Sequence, residues 1–278
     1  MAVRLMPQSR SAPETGRADA LALVRERFAA STRLWGGAAA RHVVEPGYWH
    51  TLSGLASIDY NVAGVYCPGE ASSERAAAAI ERERIPGLVM VAGPALGGVA
   101  PLLERGWSPI SAVPFMAAAL EDRAAAGQAD PAVRRLVADD GRALRALVAK
   151  TFATSEESAL VAVPDEALYP PEDAHHDASP ARYDAFGLVI KGELVSGVLT
   201  SRVGRTTCLW AMVTAPWAQR RGHGQRLLES VLAHARLGGA TQVLLLASEA
   251  GWRLYAAAGF EVLEHWQVWS KRRWVVLS

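Results

Sequence analysis

The chain of 278 residues is long enough for one large domain or two ordinary ones, and with 50% hydrophobic residues it can bury a sizeable core. A net charge of +1 with 21% charged residues gives no overall pull toward nucleic acid or an acidic membrane. Cys67 and Cys208 are the only cysteines, too few for a disulfide framework and without CxxC spacing, so a reducing cytoplasm is expected.

Taken in chain order, MAVRLMPQSRSAPETGR lacks the apolar core of a signal peptide and reads as a loose tail. ASSERAAAAIERER reads as a helix and GLVMVAG as a strand. The run from Ile85 to Leu103 contains no charged residue and is about as long as a membrane span. It also contains Pro86, Pro94, Pro101 and four glycines, which favours a buried strand, a turn and a short helix. The alanine-rich polar segment EDRAAAGQADPAV, residues 121–133, marks a boundary between an N-terminal unit, 1–125, and a C-terminal one, 132–278.

Beyond that boundary AVRRLVADD is expected as a strand and GRALRALVAKTF as an amphipathic helix, followed by a polar, proline-bearing stretch to about Arg182. AFGLVI, ELVSGVLTSRV and TTCLWAMVT follow as a three-stranded meander with turns at Lys191-Gly192 and Gly204-Arg205. Then comes QRRGHG, Gln219 to Gly224, at the mouth of a helix whose apolar stripe is Leu227, Leu228, Val231, Leu232 and Ala235. A helix start leaves its first N–H groups unpaired and carries the positive end of the peptide dipole. Two glycines there remove side chains that would keep a phosphate away, so the loop suits a phosphorylated ligand. Gly238 and Gly239 end the helix, TQVLLLA is a short buried strand, and SEAGWRLYAAAGF a short helix that Ser248 caps and Gly259 terminates. EVLEHWQVWS is the last strand, and KRRW after it reads as a solvated strand end.

The two halves echo each other. Gly106-Trp107 lies 153 residues before Gly259-Phe260, and Gly69 lies 153 before Gly222, with helix, strand, short helix and strand in the same order.

The motif QRRGHG, the strand ending in MVTAP before it, and LYAAAGF after it together resemble the GNAT superfamily of N-acetyltransferases, over about residues 132–270. The resemblance implies an α/β fold of two GNAT-like halves, each a mixed, mostly antiparallel central sheet flanked by helices. It implies acetyl-CoA as acyl donor and no metal. Its pyrophosphate would lie on the loop formed by Gln219, Arg220, Arg221, Gly222, His223, Gly224 and Gln225, its pantetheine arm along Met212, Val213 and Thr214, and Ser248 nearby. In that family the neighbouring strands part at this point, and a backbone N–H near Val213 faces the thioester carbonyl. Tyr255 corresponds to the family's general acid for the departing thiolate.

Two alternatives stay open at this point. Tyr255 is either that acid or a packed aromatic, and Ser248 either a cofactor contact or a plain helix cap. No carboxylate occurs in TTCLWAMVT, which leaves His175, His176, Asp165, Glu166 and Glu249 as candidate bases. In the N-terminal half Leu102 stands where Tyr255 would predict a tyrosine and Ala71 where Gly224 would predict a glycine, so that half is expected to be a degenerate copy without cofactor. The expected activity is acetyl transfer to a primary amine of a small-molecule or peptide acceptor, by a monomer or homodimer with no nucleic-acid or membrane partner. The alternative is a non-catalytic CoA-binding sensor or scaffold. A P-loop or dinucleotide site is disfavoured, because no GK[ST] follows the glycines and Leu227 replaces the third glycine of GxGxxG.

Overall fold

The computed structural model describes residues 14–34, 40–121, 129–168 and 181–275. The elements in chain order are α1 (Glu14–Ser31), β1 (Arg41–Glu45), β2 (Tyr48–Leu52), β3 (Asn61–Val65), α2 (Glu70–Glu83), β4 (Leu88–Val91), α3 (Ala100–Glu104) and β5 (Trp107–Ala119). They continue with β6 (Val133–Arg135), α4 (Gly141–Phe152), α5 (Glu156–Ala162), β7 (Ala181–Ile190), β8 (Glu193–Val203), β9 (Thr206–Thr214) and α6 (His223–Leu237). The last are β10 (Gln242–Leu246), α7 (Trp252–Ala257), β11 (Glu261–Lys271) and α8 (Arg272–Val275).

All the described strands join one 11-stranded sheet in the order β1-β2-β3-β4-β11-β5-β10-β9-β8-β7-β6. The order departs from the chain sequence at its centre. β11, from the end of the chain, lies between β4 and β5, while β5 lies between β11 and β10. Outward from the antiparallel β5/β11 pair the ladder repeats itself on both sides. β4 and β10 add antiparallel, β3 and β9 add parallel to them, and antiparallel pairings follow, two beyond β3 and three beyond β9. The glycines 153 residues apart occupy matching places. Gly69 and Gly222 are the N-caps of α2 and α6, with φ of 111° and 80°, and Gly106 and Gly259 follow α3 and α7 with φ of 74° and 78°.

Helices cover both faces of the sheet. The α6 stripe buries Leu227, Leu228, Val231 and Leu232 against β5, β8, β9 and β10. Each such burial stabilises by about 1.5–3 kcal/mol. On the opposite face α4 and α5 cover β7 to β9, and α1 crosses the middle of the sheet. Phe28 of α1 is fully buried, its ring 5.2–6.4 Å from those of Phe115, Trp210, Trp266 and Trp49, so one helix is packed on strands from both halves. Arg25, one turn earlier, forks onto Glu264 with both bonds at 2.7 Å, and Trp266 Nε1 donates to the same carboxylate at 2.8 Å. Glu264 sits where β11 bulges against β5.

The sequence reading needs several corrections. Glu14 to Arg17 belong to α1 rather than to a loose tail, and the stretch before Arg182 contains α5, started by Ser155, whose hydroxyl accepts from Ser158 N–H at 3.1 Å. α7 begins at Trp252 with Gly251 as its N-cap, so Ser248 is not the cap of that helix. KRRW is no solvated strand end. Lys271 pairs with Glu81 at 2.7 Å and lies over the rings of Trp107 and Trp274, and Trp274 is buried within the short α8. α1 and the strands β1 to β3 were not anticipated.

Two stability outcomes follow from this packing. Glu264→Leu leaves Arg25 charged and buried without its partner, with expected loss of about 3–5 kcal/mol of unfolding free energy by urea titration. The double variant Arg25→Met/Glu264→Leu should recover most of that loss. A fragment starting at residue 129 lacks β5 and leaves β10 and β11 as bare edges, so it should aggregate on expression. A soluble monomeric fragment with a cooperative melt would show that the two halves fold without each other.

Candidate active site

The site begins where two parallel strands part. β9 and β10 pair only at Thr206–Gln242, Thr207–Val243 and Cys208–Leu244, after which β10 keeps its ladder with β5 as far as Leu246–Phe115. From Leu209 onward, β9 therefore turns one backbone edge toward an open cleft. The parting coincides with a bulge. The β8 ladder runs from Leu199–Trp210 to Gly197–Val213, so Ala211 and Met212 together face Val198. Ala211 takes φ of 45°, a left-handed conformation that costs an alanine about 1 kcal/mol or more, and the bulge turns the end of β9 away from β10.

Beyond β9 the chain makes one 3-10 turn at Pro216–Ala218 and enters the glycine loop. Arg220 and Gly222 both take left-handed φ, 58° and 80°, and α6 starts at His223. The first helical bond runs from Arg226 N–H to the Gly222 carbonyl at 3.0 Å. The N–H groups of His223, Gly224 and Gln225 precede any such bond, and no side chain caps them. A Cβ at Gly222 would meet nothing within 4 Å, so the loop opens to solvent in front of those donors. Arg220 and Arg221 are exposed at its rim.

Gly224 draws the parts of the site together. A Cβ on it would lie 3.4 Å from Thr214 Oγ1, 3.5 Å from Leu254 Cδ2 and 3.9 Å from Met212 Cε, which places the loop against the end of β9 and against α7. Gln219 Nε2 donates to the Thr214 carbonyl at 3.2 Å, and Thr214 Oγ1 shares a 2.9 Å hydrogen bond with Ser196 Oγ. Val213 is buried, while Met212 and Thr214 are half-buried. Tyr255 lies on α7 beside Leu254, 9% exposed, edge-on to Phe260 at 5.7 Å. Burial pushes its hydroxyl from the ordinary 10 up to about 12. A Cβ at Gly251 would come within 3.2 Å of both the Tyr255 ring and Ser248 Oγ, so glycine is what lets this turn close over the tyrosine. Ser248 is exposed and its hydroxyl accepts from Gly251 N–H at 3.2 Å.

Thus Met212, Thr214, Gly224 and α7, which carries Tyr255, meet at one cleft. Ala211, Ser196 and Leu254 belong to the same constellation and were missed in the sequence. The candidate bases are scattered. Asp165 is ion-paired with Arg145, Glu249 is exposed, Glu166 bears on Tyr183 in another part of the core, and His175 and His176 lie outside the described residues.

The matching place in the N-terminal half is closed. Gly98, at the end of the 3-10 segment Gly93–Gly98, packs so near the start of α2 that a Cβ on it would fall 2.4 Å from the Gly69 carbonyl oxygen. Leu102, in the position matching Tyr255, is fully buried.

Residues 145–260 match the acetyltransferase (GNAT) family model. The fold is similar to that of a GCN5-related N-acetyltransferase from Kribbella flavida, with TM-score 0.63 and 18% identity over 89% of this chain and 95% of that one. It is also similar to a GCN5-related N-acetyltransferase from Sphaerobacter thermophilus, with TM-score 0.55 and 17% identity over 92% of this chain and 93% of that one. No curated protein matches the chain.

The raised Tyr255 hydroxyl has a measurable sign. It ionises near 10 in the unfolded chain and near 12 in the folded one, so the folded state loses stability as pH rises from about 10 to about 12. Tyr255→Phe should make the pH dependence of unfolding free energy shallower in that window and remove one late step from the phenolate absorbance titration. Loss of a step near pH 10 instead would mean that Tyr255 ionises like an exposed tyrosine.

Proposed function

We propose, from the match of residues 145–260 to the acetyltransferase (GNAT) family model, that the protein moves an acetyl group from acetyl-CoA to a primary amine of a small-molecule or peptide acceptor. The observation that carries this reading is the conjunction of an open β9 edge with an uncapped helix start at its end. The former suits an extended amide-bearing arm that adds to the strand, and the latter a pyrophosphate. Gly222, with open space before it, and Gly224, in close contact with Thr214, fit such an occupant.

In this proposal acetyl-CoA supplies an activated acyl carbon and a thiolate leaving group. The N–H groups from Arg221 to Gln225 hold the phosphates, with Arg220 and Arg221 at the rim and Gln219 fixing the loop on the Thr214 carbonyl. Met212, Val213 and Thr214 bind the arm through their backbone, and a backbone N–H near Val213 is the donor for negative charge developing on the carbonyl oxygen. As the amine nitrogen bonds to the carbonyl carbon, the carbon–sulfur bond breaks and Tyr255 gives its proton to the sulfur. A hydroxyl kept protonated to about pH 12 is always charged with that proton at neutral pH. The amine's surplus proton is released to solvent, and a proton taken from solvent restores the tyrosine. Ser248 shapes the turn over Tyr255 and in this reading is assigned a contact to the cofactor.

We read the N-terminal half, to about residue 125, as a degenerate copy of the C-terminal one. The repeated ladder and the paired glycines support the common origin, and Gly98 against Gly69 supports the loss of its cofactor. A second reading, a protein that holds CoA without turning it over, is favoured by the lack of a carboxylate along β9.

Acetyl-CoA should raise the melting temperature with increasing concentration, and NADH or ATP should do much less. Gly222→Val should abolish that shift, since the new side chain would stand in the open space before the N–H groups and strain a φ of 80°. With an amine panel followed by free-thiol release, Tyr255→Phe should lower kcat by about ten- to a thousandfold with little change in acetyl-CoA affinity. Thiol release absent for every amine, despite a clear acetyl-CoA shift, favours the scaffold reading.

A further inference from the structure

At the far end of α6 from the glycine loop lies a cavity of about 200 Å³ between that helix and β6 to β9. The helix has 15 residues, so about 20 Å separates the cavity from the proposed phosphate site. Its floor carries an arrangement that is unfavourable by itself. Arg182 on β7 stands directly opposite Arg202 on β8, both facing α6, and like charges in that relation repel. Arg135, from β6, brings a third guanidinium to the same space.

Asp184 is the carboxylate among them, 9% exposed, and it accepts from Arg135 and from Arg182, the latter at 2.7 Å. No carboxylate pairs with Arg202 among the described residues. Its Nε donates to the Gly204 carbonyl at 2.9 Å, and its guanidinium lies beside Gly238 at the carbonyl end of α6. That helix end supplies roughly half a negative charge. Three cations against one carboxylate and half a charge leave an excess of about +1.5. Arg135 Nε is also buried without a hydrogen-bond partner. Phe186, Val231 and Ala235 give the cavity an apolar wall, with Thr200, Thr207 and His234 completing its lining.

We propose that this cavity binds a small organic carboxylate, its anionic end between Arg182 and Arg202 and its apolar part against Phe186, Val231 and Ala235. A guanidinium pair recognises such a group by paired N–H donors, and the anion removes the repulsion between the two arginines. The site is separate from the acyl-transfer cleft and does not depend on the function proposed for it. Occupancy of one should therefore not exclude occupancy of the other.

The test uses the full chain and three probes: sodium benzoate, benzylamine as a cation of the same shape, and sodium chloride at matched ionic strength. Benzoate should raise the melting temperature along a saturating curve and give heat in a calorimetric titration, while benzylamine and chloride should not. Arg202→Gln removes a charge, and Ala235→Leu fills the apolar wall while keeping every charge. Both should weaken benzoate binding by about tenfold or more and keep the cooperative thermal unfolding of the ligand-free parent protein, which reports that they fold. No saturable effect of benzoate, an equal effect of benzylamine or chloride, or benzoate binding that survives both substitutions would overturn the proposal.

Discussion

Everything else in the molecule depends on the pairing of β5 with β11. These strands form a ladder of ten pairs, from Glu261–Ala117 to Lys271–Trp107, and each also takes the free edge of the other half. β11 satisfies β4 and β5 satisfies β10, so neither half closes its own sheet. Strand edges carry unpaired N–H and C=O groups that need partners, and here the exchange provides them. α1 adds side-chain contact to the same seam. Phe28 lies among aromatics contributed by β2, β5, β9 and β11, and the Arg25–Glu264 fork ties the helix to a bulge in β11. A buried ion pair adds little net stability by comparison with apolar packing, but it fixes where the helix sits.

With β10 held firmly against β5, the departure of β9 falls to one side alone. The Ala211 bulge shortens the register between β8 and β9 and turns β9 outward, which opens the cleft without leaving β10 an orphan. The strain at Ala211 is local and is carried by a strand otherwise bonded along β8. The same outward turn delivers the chain to the glycine loop at the angle needed for α6 to begin beside Thr214, where Gly224 permits the contact.

Much of this was legible in the sequence, for stated reasons. The meander from β7 to β9, the stripe of α6, the short buried β10 and the helix ending at Gly259 all rest on periodicities and turn residues that tertiary contacts reinforce. The start of α6 at the glycine loop could be read because glycines directly before an apolar helical stripe mark where a helix begins. The bulge was not legible. A left-handed residue is ordinarily announced by glycine or asparagine, and position 211 holds an alanine whose conformation is imposed by neighbouring strands. The order of strands at the centre was hidden too, since alternation of apolar residues tells that a strand is buried and not which strand lies beside it. α1 was missed because its apolar residues, such as Leu23, Val24 and Phe28, are interleaved with charge, and Arg25 is buried only by virtue of Glu264, 239 residues away.

The central exchange also bears on the order in which the chain can acquire its structure during synthesis. β4 ends at Val91, yet the strand that closes its outer edge toward the centre begins at Glu261. While the ribosome adds the intervening residues, the N-terminal half has β1 to β4 available but lacks the strand that belongs between β4 and β5. The edge of β4, with Val89 and Val91 on it, must wait, and the contacts that complete it are among the most distant in sequence that this chain makes. The nascent chain therefore has to keep that edge from other partners until β11 emerges.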